Sequence, residues 1–346
     1  MTPSADPATA RIHRRIAVLV GVFAFGFFWW VWGAWRPLPA GSDESAYLLQ
    51  AKIFASGQVV ADPRPFPEFF WQYHVFVDPV LAAKYPPGHS ALLALGELFR
   101  APWVIPLFAA AISSALLFLL TARWSTRGVG LLAVSLMITS ETSLRFWPSY
   151  FSETTTAALF LIGWLALANY WDRGSIRWLL ALAFSVGLGA ITRPLTMLAF
   201  AVPAAVLTLI AMRRQNGWRQ LPWAAAVTLI VVGLSFLWNQ KATGDWRHSP
   251  HAEYARRFIP SDRIGFGSTA TPPADSLPPE LRAFNGAVQR IHARHTLPSV
   301  PRVAAARASS IARETWLYLG LPGLFALIAF ISAPAGAWLI AATTIV

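Results

Sequence analysis

Two adjacent acidic residues are the first groups in this sequence that could do chemistry. Asp43 and Glu44 lie a few residues after the first long apolar block. A positioned carboxylate acts as a general base when its surroundings tune its proton affinity, so the pair is a candidate catalytic site. The alternative is an acidic pair in the first turn of a helix, where the helix dipole favours negative charge.

A rigid turn at residues 84–89, with the sequence Lys-Tyr-Pro-Pro-Gly-His, is the second candidate. The chain has three lysines, Lys52, Lys84 and Lys241, and uses arginine for its other cations. A lysine held by a rigid turn at the membrane surface would make a good phosphate contact. Proline and glycine could also fix this turn for purely structural reasons.

Charged residues beside apolar segments form the third group. Arg193 lies between two apolar blocks, where a cation is costly unless it pairs with an anion or reaches the interface by snorkelling. Arg145 and Glu153 flank the aromatic segment 146–151. We predict that Arg193 binds phosphate and that Arg145 is a second candidate; interfacial anchoring is the alternative for Arg145 and Glu153.

Metal and thiol chemistry find little support in the sequence. Two histidine pairs occur at three-residue spacing, His248 with His251 and His292 with His295, but no third ligand or zinc spacing accompanies them. The chain has no cysteine, so it has no disulfide and no thiol nucleophile. The sequence indicates no definite cofactor, and a divalent metal ion is the one candidate; Glu44 would support either the helix or that metal.

The elements that must position these residues are apolar blocks. Hydrophobic residues make up 55% of the chain and the mean hydropathy is +0.48. A helix needs about 20 apolar residues to cross the membrane, and backbone amides in lipid must be satisfied internally. The blocks lie at residues 16–35, 104–122, 129–140, 154–171, 178–191, 195–212, 221–238 and 316–332. They predict an all-α, polytopic transmembrane bundle of about eight spans, forming one domain over residues 1–346.

Charge distribution sets the predicted orientation of this bundle. The net charge is +12, but the arginines cluster before the first block and in alternate short loops. This positive-inside pattern predicts a cytoplasmic N-terminus and argues against nucleic acid as a partner. It places two long outer loops, residues 36–102 and 239–313, outside the membrane.

Short helices are expected in the first outer loop. Residues 42–57 can form a helix with Ser42 as the N-cap, and residues 89–98 a second one. An apolar stripe on the first helix, which includes Ile53 and Phe54, would suit the bilayer surface. At the C-terminus, residues 337–346 are too short to span, so we expect the chain to be a C-terminally truncated fragment.

The order of these features resembles the GT-C superfamily of membrane glycosyltransferases. The closest resemblance is to the bacterial branch related to protein O-mannosyltransferases and the lipid A aminoarabinose transferase. It rests on the Asp-Glu pair within residues 42–47 and on the Pro-Pro-Gly turn and Leu-rich helix within residues 84–96. A later segment also matches, through Asn239, Thr243, Gly244, Asp245, Pro250, Tyr254, Gly265, Phe266 and Gly267.

This resemblance implies an inverting hexosyl- or pentosyltransferase, possessing a mannosyltransferase-like site, that acts in cell-envelope synthesis. Its donor would be a polyprenyl-phosphate sugar bound by Lys84, Arg193 and Arg145, and its acceptor a lipid, glycan or protein. Asp43 is the predicted base, with Glu44 beside it. Residues expected to line the substrate pocket are Tyr47, Tyr85, His89 and Glu153.

The same interpretation predicts a multi-pass protein of the bacterial inner (plasma) membrane, in contact with membrane lipids and with its active site facing the periplasm or exterior. Two other classes remain open. A lipid or solute transporter or flippase would carry ionisable residues at mid-bilayer, whereas the candidates here lie near the outer surface. A non-catalytic membrane assembly subunit would keep the scaffold without the activity.

Overall fold

Helices make up nearly all of the regular structure in the computed structural model, which describes residues 7–35, 39, 41–262, 266–267 and 279–316. The helices are α1 (Pro7–Trp35), α2 (Ser42–Ala55), α3 (Pro87–Glu97), α4 (Val104–Trp124), α5 (Arg127–Thr139), α6 (Glu141–Phe146), α7 (Glu153–Arg173), α8 (Ile176–Ala190), α9 (Pro194–Gln215), α10 (Leu221–Thr243), α11 (Pro250–Phe258), α12 (Pro279–Ala293) and α13 (Val300–Trp316). Two short strands, β1 (Val75–Phe76) and β2 (Ala82–Ala83), pair antiparallel. The predicted all-α class is confirmed.

The long helices form one bundle around two apolar cores. The first core joins α1, α4 and α5 and includes Phe28, Leu107 and Phe118. The second joins α7, α8 and α9 and includes Trp164 and Phe200. Helix α4 packs on α1, α5 and α7, and α8 packs between α7 and α10. Each predicted apolar block within the described residues is helical, because its polar backbone groups are satisfied inside the helix.

Four of these helices are long and apolar enough to cross a membrane: Ala8–Gly33, Val104–Trp124, Pro194–Gln215 and Trp218–Thr243. The outward face of the last carries exposed side chains such as Leu229 and Ile230, which are 68% and 70% exposed and suit contact with lipid. These properties identify the chain as a membrane protein.

The expected number of about eight spans finds only partial support. Helices α5 and α8 are apolar but short; the 13 residues of α5 cover about 20 Å, less than a bilayer core of about 30 Å. Helix α7 is long enough but carries polar groups such as Thr154 and Asn169, and it is not among the four. Most of the predicted block at 316–332, and the C-terminal stub, lie outside the described residues.

Helices α2 and α3 and the strand pair cover one end of the bundle, which we call the site end. The apolar stripe of α2 does not face lipid there. Ala46 and Ile53 pack against Val75, Val77 and Leu81 of the strand pair and its turn, so the prediction of a surface-lying helix is wrong. The N-cap of α2 is Gly41 rather than Ser42.

The other end of the bundle, which we call the opposite end, is fastened by side chains that bind the last turn of α7. Arg123 donates to the Ala168 carbonyl at 3.0 Å and forms an ion pair with Asp172. The Gln215 amide donates to the Trp171 carbonyl at 2.6 Å. The Trp171 carbonyl is one that the helix end leaves without an intrahelical partner, whereas the Ala168 carbonyl lies one turn earlier in α7.

Candidate functional site

Asp43 projects from the first turn of α2 at the site end and is the most accessible carboxylate of the predicted pair. The Tyr85 hydroxyl donates a hydrogen bond to its Oδ1, and the His74 Nε2 lies 3.9 Å from its Oδ2. The side chain remains 40% exposed, so the carboxylate is held on one side and open on the other. A base that must reach a substrate hydroxyl needs this combination of fixation and access.

Glu44 has a different environment, although it is the next residue. It is 2% exposed, and its two carboxylate oxygens accept from the Gly41 and Tyr150 backbone N–H groups at 3.1 and 2.8 Å. The side chain therefore supports the start of α2 and ties it to the loop before α7. In the described part of the chain, no three His, Asp or Glu side chains come close enough to hold a metal ion.

Lys84 lies beneath the surface of the site. Its side chain is 6% exposed, and its ammonium is 3.9 Å from the Asp262 carboxylate. The same ammonium lies 5.3 Å from the centre of the Tyr85 ring and 5.2 Å from that of Tyr254. Burial lowers the pKa of Lys84, whereas the Asp262 and Asp43 carboxylates oppose that shift. The cation thus lies between residues of segments 36–102 and 239–313, with aromatic rings around it.

Two tyrosines, Tyr47 and Tyr85, lie between the Asp43 carboxylate and the second cation of the site, Arg193. The Tyr47 and Tyr85 rings stack with centroids 4.6 Å apart, and the Tyr47 hydroxyl donates to Ser152 at 3.2 Å. Burial raises the pKa of Tyr47 to about 12. Burial and the Asp43 carboxylate raise the pKa of Tyr85 as well. Both hydroxyls therefore remain protonated donors at neutral pH.

Arg193 reaches the same place from the turn between α8 and α9. Its guanidinium forms an ion pair with Glu153 and lies 3.4 Å from the Ser152 hydroxyl. This turn is bound directly to the first turn of α3, because the Gly88 N–H donates to the Ile191 carbonyl at 2.7 Å. A Cβ at residue 88 would lie 2.8 Å from that carbonyl oxygen, so glycine permits the close approach.

Two predicted site residues have other positions. His89 is fully buried, and its ring nitrogens bind the Thr155 hydroxyl and the Tyr150 carbonyl at 2.9 and 2.8 Å. It therefore packs behind the site instead of lining it. Arg145 is exposed on α6 with its guanidinium 5.6 Å from the Phe146 ring centre, so the structure does not bring it to Lys84 and Arg193.

Sequence reasoning missed the residues that close the site from the side of the strand pair and α11. His74 lies beside Asp43, and its backbone N–H donates to the Tyr254 hydroxyl at 2.9 Å. Asp262 lies beside Lys84. His251 also lies near, since the Lys84 and Asp262 charges both act on its pKa, which burial lowers. Tyr254 was noted only as part of a resembling segment, and a lone histidine in a loop carries no spacing signal.

No protein-family model, curated protein or solved structure matches this chain. What the site can do must therefore be argued from its geometry. An accessible carboxylate, Asp43, lies with two cations and two tyrosine hydroxyls at one end of a bundle of apolar helices. Such a site can accept a proton from a hydroxyl and stabilise an anion beside the membrane.

Proposed function

We propose that this chain is an inverting glycosyltransferase that moves a sugar from a polyprenyl phosphate to an acceptor hydroxyl. The observation that carries the proposal is the convergence of Asp43, Lys84 and Arg193. These residues come from α2, the turn before α3 and the turn before α9, and they meet around the Tyr47–Tyr85 stack. The GT-C resemblance of the sequence points to the same chemistry.

In the proposed reaction the acceptor oxygen attacks the anomeric carbon from the side opposite the phosphate. The new C–O bond forms as the bond from the anomeric carbon to the phosphate oxygen breaks. The electron pair of the broken bond leaves with the polyprenyl phosphate. Asp43 takes the acceptor proton. General-base catalysis of this kind contributes typically about 10²–10⁴-fold.

The two cations suit the charge that develops on the leaving group. A sugar phosphodiester carries one negative charge, whereas the departing phosphomonoester carries up to about two. Lys84 and Arg193 therefore stabilise the transition state more than the bound donor, which is what accelerates a reaction. Each cation is paired with a carboxylate, Asp262 or Glu153, and the donor phosphate would exchange with or join that partner.

The apolar helices provide the route by which a lipid-linked donor would reach the site. A polyprenyl chain is soluble only in the bilayer, so its phosphate and sugar must be met at headgroup depth. The site end of the bundle lies where α1, α5, α8 and α10 end and where α4, α7 and α9 begin. A lipid-linked donor could enter sideways between these helix ends.

The decisive experiment supplies the purified full chain, in lipid nanodiscs, with radiolabelled polyprenyl-phosphate hexoses and pentoses. Lipid, glycan and peptide acceptors are tested in parallel, and Asp43→Asn is the matched blank. Transfer of label by the natural chain but not by Asp43→Asn supports the proposal. Movement of the intact donor between leaflets without product would indicate a flippase, and binding without either would indicate an assembly subunit.

Orientation belongs to the same proposal. We place the site end outside the cytoplasm of a bacterial inner membrane, in keeping with arginines at the opposite end such as Arg123 and Arg173. The absence of native cysteine allows a direct test. An impermeant maleimide should label Glu68→Cys in intact cells and should not label Ser125→Cys; the reverse result would invert the topology.

A further inference from the structure

His74 has an unusual backbone conformation that is fixed from two sides. Its φ is 69°, in the left-handed region that non-glycine residues seldom adopt, with Asn, Asp and His as the commonest exceptions. Its N–H donates to the Tyr254 hydroxyl at 2.9 Å, and its carbonyl accepts from the Lys84 N–H at 2.8 Å. A residue is held in an unfavourable conformation only when its surroundings over-determine it, which is frequent at functional sites.

This conformation directs the imidazole at the candidate base. The His74 side chain is buried, and its Nε2 lies 3.9 Å from Asp43 Oδ2. Its Nδ1 is buried with no hydrogen-bond partner. The single proton of a neutral imidazole is therefore best placed on Nε2, where it meets the carboxylate. Hydrogen bonds at active sites are often long without substrate and shorten when substrate binds.

We propose that His74 is a positioning residue for Asp43, donating from Nε2–H to Oδ2 while the Tyr85 hydroxyl holds Oδ1. The inference rests on the proposed transferase function and names a residue that acts through the base. A carboxylate has about four lone-pair positions, so two remain to receive the acceptor proton. Fixing both oxygens limits rotation of the carboxylate and aims the remaining positions at the open side of the site.

The surrounding charges keep this donor neutral. The groups that act on His74 are Asp43 on α2, Lys84 before α3, Asp262, and His251 on α11. The Tyr85, Tyr254 and Phe284 rings lie against it. Burial and then the Lys84 cation lower the pKa of His74 to about 4, against the raising effect of the two carboxylates. A neutral imidazole can donate a hydrogen bond to the carboxylate without cancelling its negative charge.

Two variants test the positioning role kinetically. His74→Asn tolerates the left-handed backbone but places no donor at the Nε2 position, whereas His74→Gln places its amide nitrogen near that position. We expect His74→Asn to lower kcat about tenfold at unchanged KM for the donor, and His74→Gln to recover most of the loss. A kcat for folded His74→Asn equal to that of the natural chain would overturn the inference, as would a loss confined to KM.

A spectroscopic measurement separates this inference from the proposed function. The full chain with ¹⁵N-labelled histidine reports the tautomer and pKa of His74, assigned with His74→Gln, without any turnover. We expect the Nε2–H tautomer, and a further fall in the His74 pKa in Asp43→Asn, because the Asp43 charge raises it. An Nδ1–H tautomer, or no response to Asp43→Asn, would overturn the positioning role even if transfer is observed. The expected result without any transfer would reject the transferase and leave the His74–Asp43 coupling standing.

Discussion

The two ends of the bundle are built from different kinds of contact. At the site end, bonds join residues that are far apart in the chain, such as Glu44 with Tyr150 and His74 with Tyr254. At the opposite end, Arg123 and Gln215 bind carbonyls in the last two turns of α7. The first arrangement assembles a defined cluster of groups, and the second closes a helix terminus.

The two ends also differ in how deeply their charged side chains are buried. Lys84 and Glu44 are almost fully buried at the site end, where an ionised group needs specific partners. The Arg123–Asp172 pair at the opposite end is partly exposed, with Asp172 54% accessible, so solvent screens it. The site end therefore buries charges that need specific partners, whereas the ion pair at the opposite end stays open to solvent. Four predictions test this difference.

The largest effect is expected at Asp43. Asp43→Asn keeps the shape of the side chain and removes its basicity, so kcat should fall by about 10²–10⁴-fold with little change in donor affinity. Turnover is measured with the radiolabelled donor, and binding with the same donor at equilibrium.

Glu44→Gln is the matched control for this prediction. It leaves a buried amide against two backbone N–H donors, so it should reduce the free energy of unfolding by about 1–3 kcal/mol while the folded fraction still turns over. If Asp43→Asn kept more than a few per cent of the rate while folded Glu44→Gln had none, the base would be Glu44.

Acid should weaken the site end first. Burial lowers the pKa of both His74 and His89 to about 4, from an ordinary value of 6.5. Between pH 6.5 and pH 4, these two histidines are therefore protonated in the unfolded chain but stay neutral in the folded chain. Their contribution to the free energy of unfolding is fully present above pH 6.5. It is lost as the pH drops toward 4, by roughly 3 kcal/mol for each histidine.

Hydrogen exchange at several pH values measures this loss by region. Amides of α2 and α3 should lose protection before those around Arg123, because arginine keeps its charge over the whole window. Equal loss of protection at both ends would contradict the assignment of the buried histidines.

Donor affinity should depend on two cations and not on a third. Lys84→Met keeps the buried stem and Arg193→Gln keeps a polar group, and each should weaken donor binding about 10–100-fold, since a charge-assisted contact contributes about 1.5–3 kcal/mol. Arg145→Gln is the control and should change the affinity less than twofold. Equal losses in all three variants would indicate a general effect of positive charge.

The smallest effect is expected at the opposite end. Arg123→Ala removes a partly exposed ion pair and a carbonyl contact, so it should cost at most about 1 kcal/mol of stability and leave kcat unchanged. Thermal unfolding in nanodiscs and the transfer assay measure the two quantities. A strong loss of turnover in Arg123→Ala would show that the two ends are coupled.

Part of the candidate site could be predicted from sequence because charged residues stand out beside apolar segments. Asp43, Lys84 and Arg193 carry charge beside apolar segments, and the structure links them through the Tyr47–Tyr85 stack and Ser152. His74 and Asp262 carried no such mark, since their contacts depend on how the two outer loops pack. Arg145 also carries charge beside apolar sequence, but it is exposed on α6 against the Phe146 ring, which sequence pattern alone does not reveal.

The fold shows the same division. Periodic apolar sequence predicted the helices because a helix satisfies its own backbone. It did not predict the partner of each apolar face. The stripe on α2 contacts the strand pair instead of lipid, and short helices such as α5 cannot be counted as spans from their composition.

The hydrogen bond from His74 to Tyr254 has a consequence for the order of synthesis. A ribosome completes Asp43, Lys84 and Arg193 well before it makes Tyr254 and Asp262. Until α11 has emerged, His74 lacks the hydroxyl that fixes its backbone, and Lys84 lacks its carboxylate partner. A nascent chain therefore carries Asp43 and Lys84 before it has Tyr254, which fixes His74, and Asp262, which pairs with Lys84. For the proposed transferase, lipid-linked sugars would meet a working site only after the second outer loop has been translated.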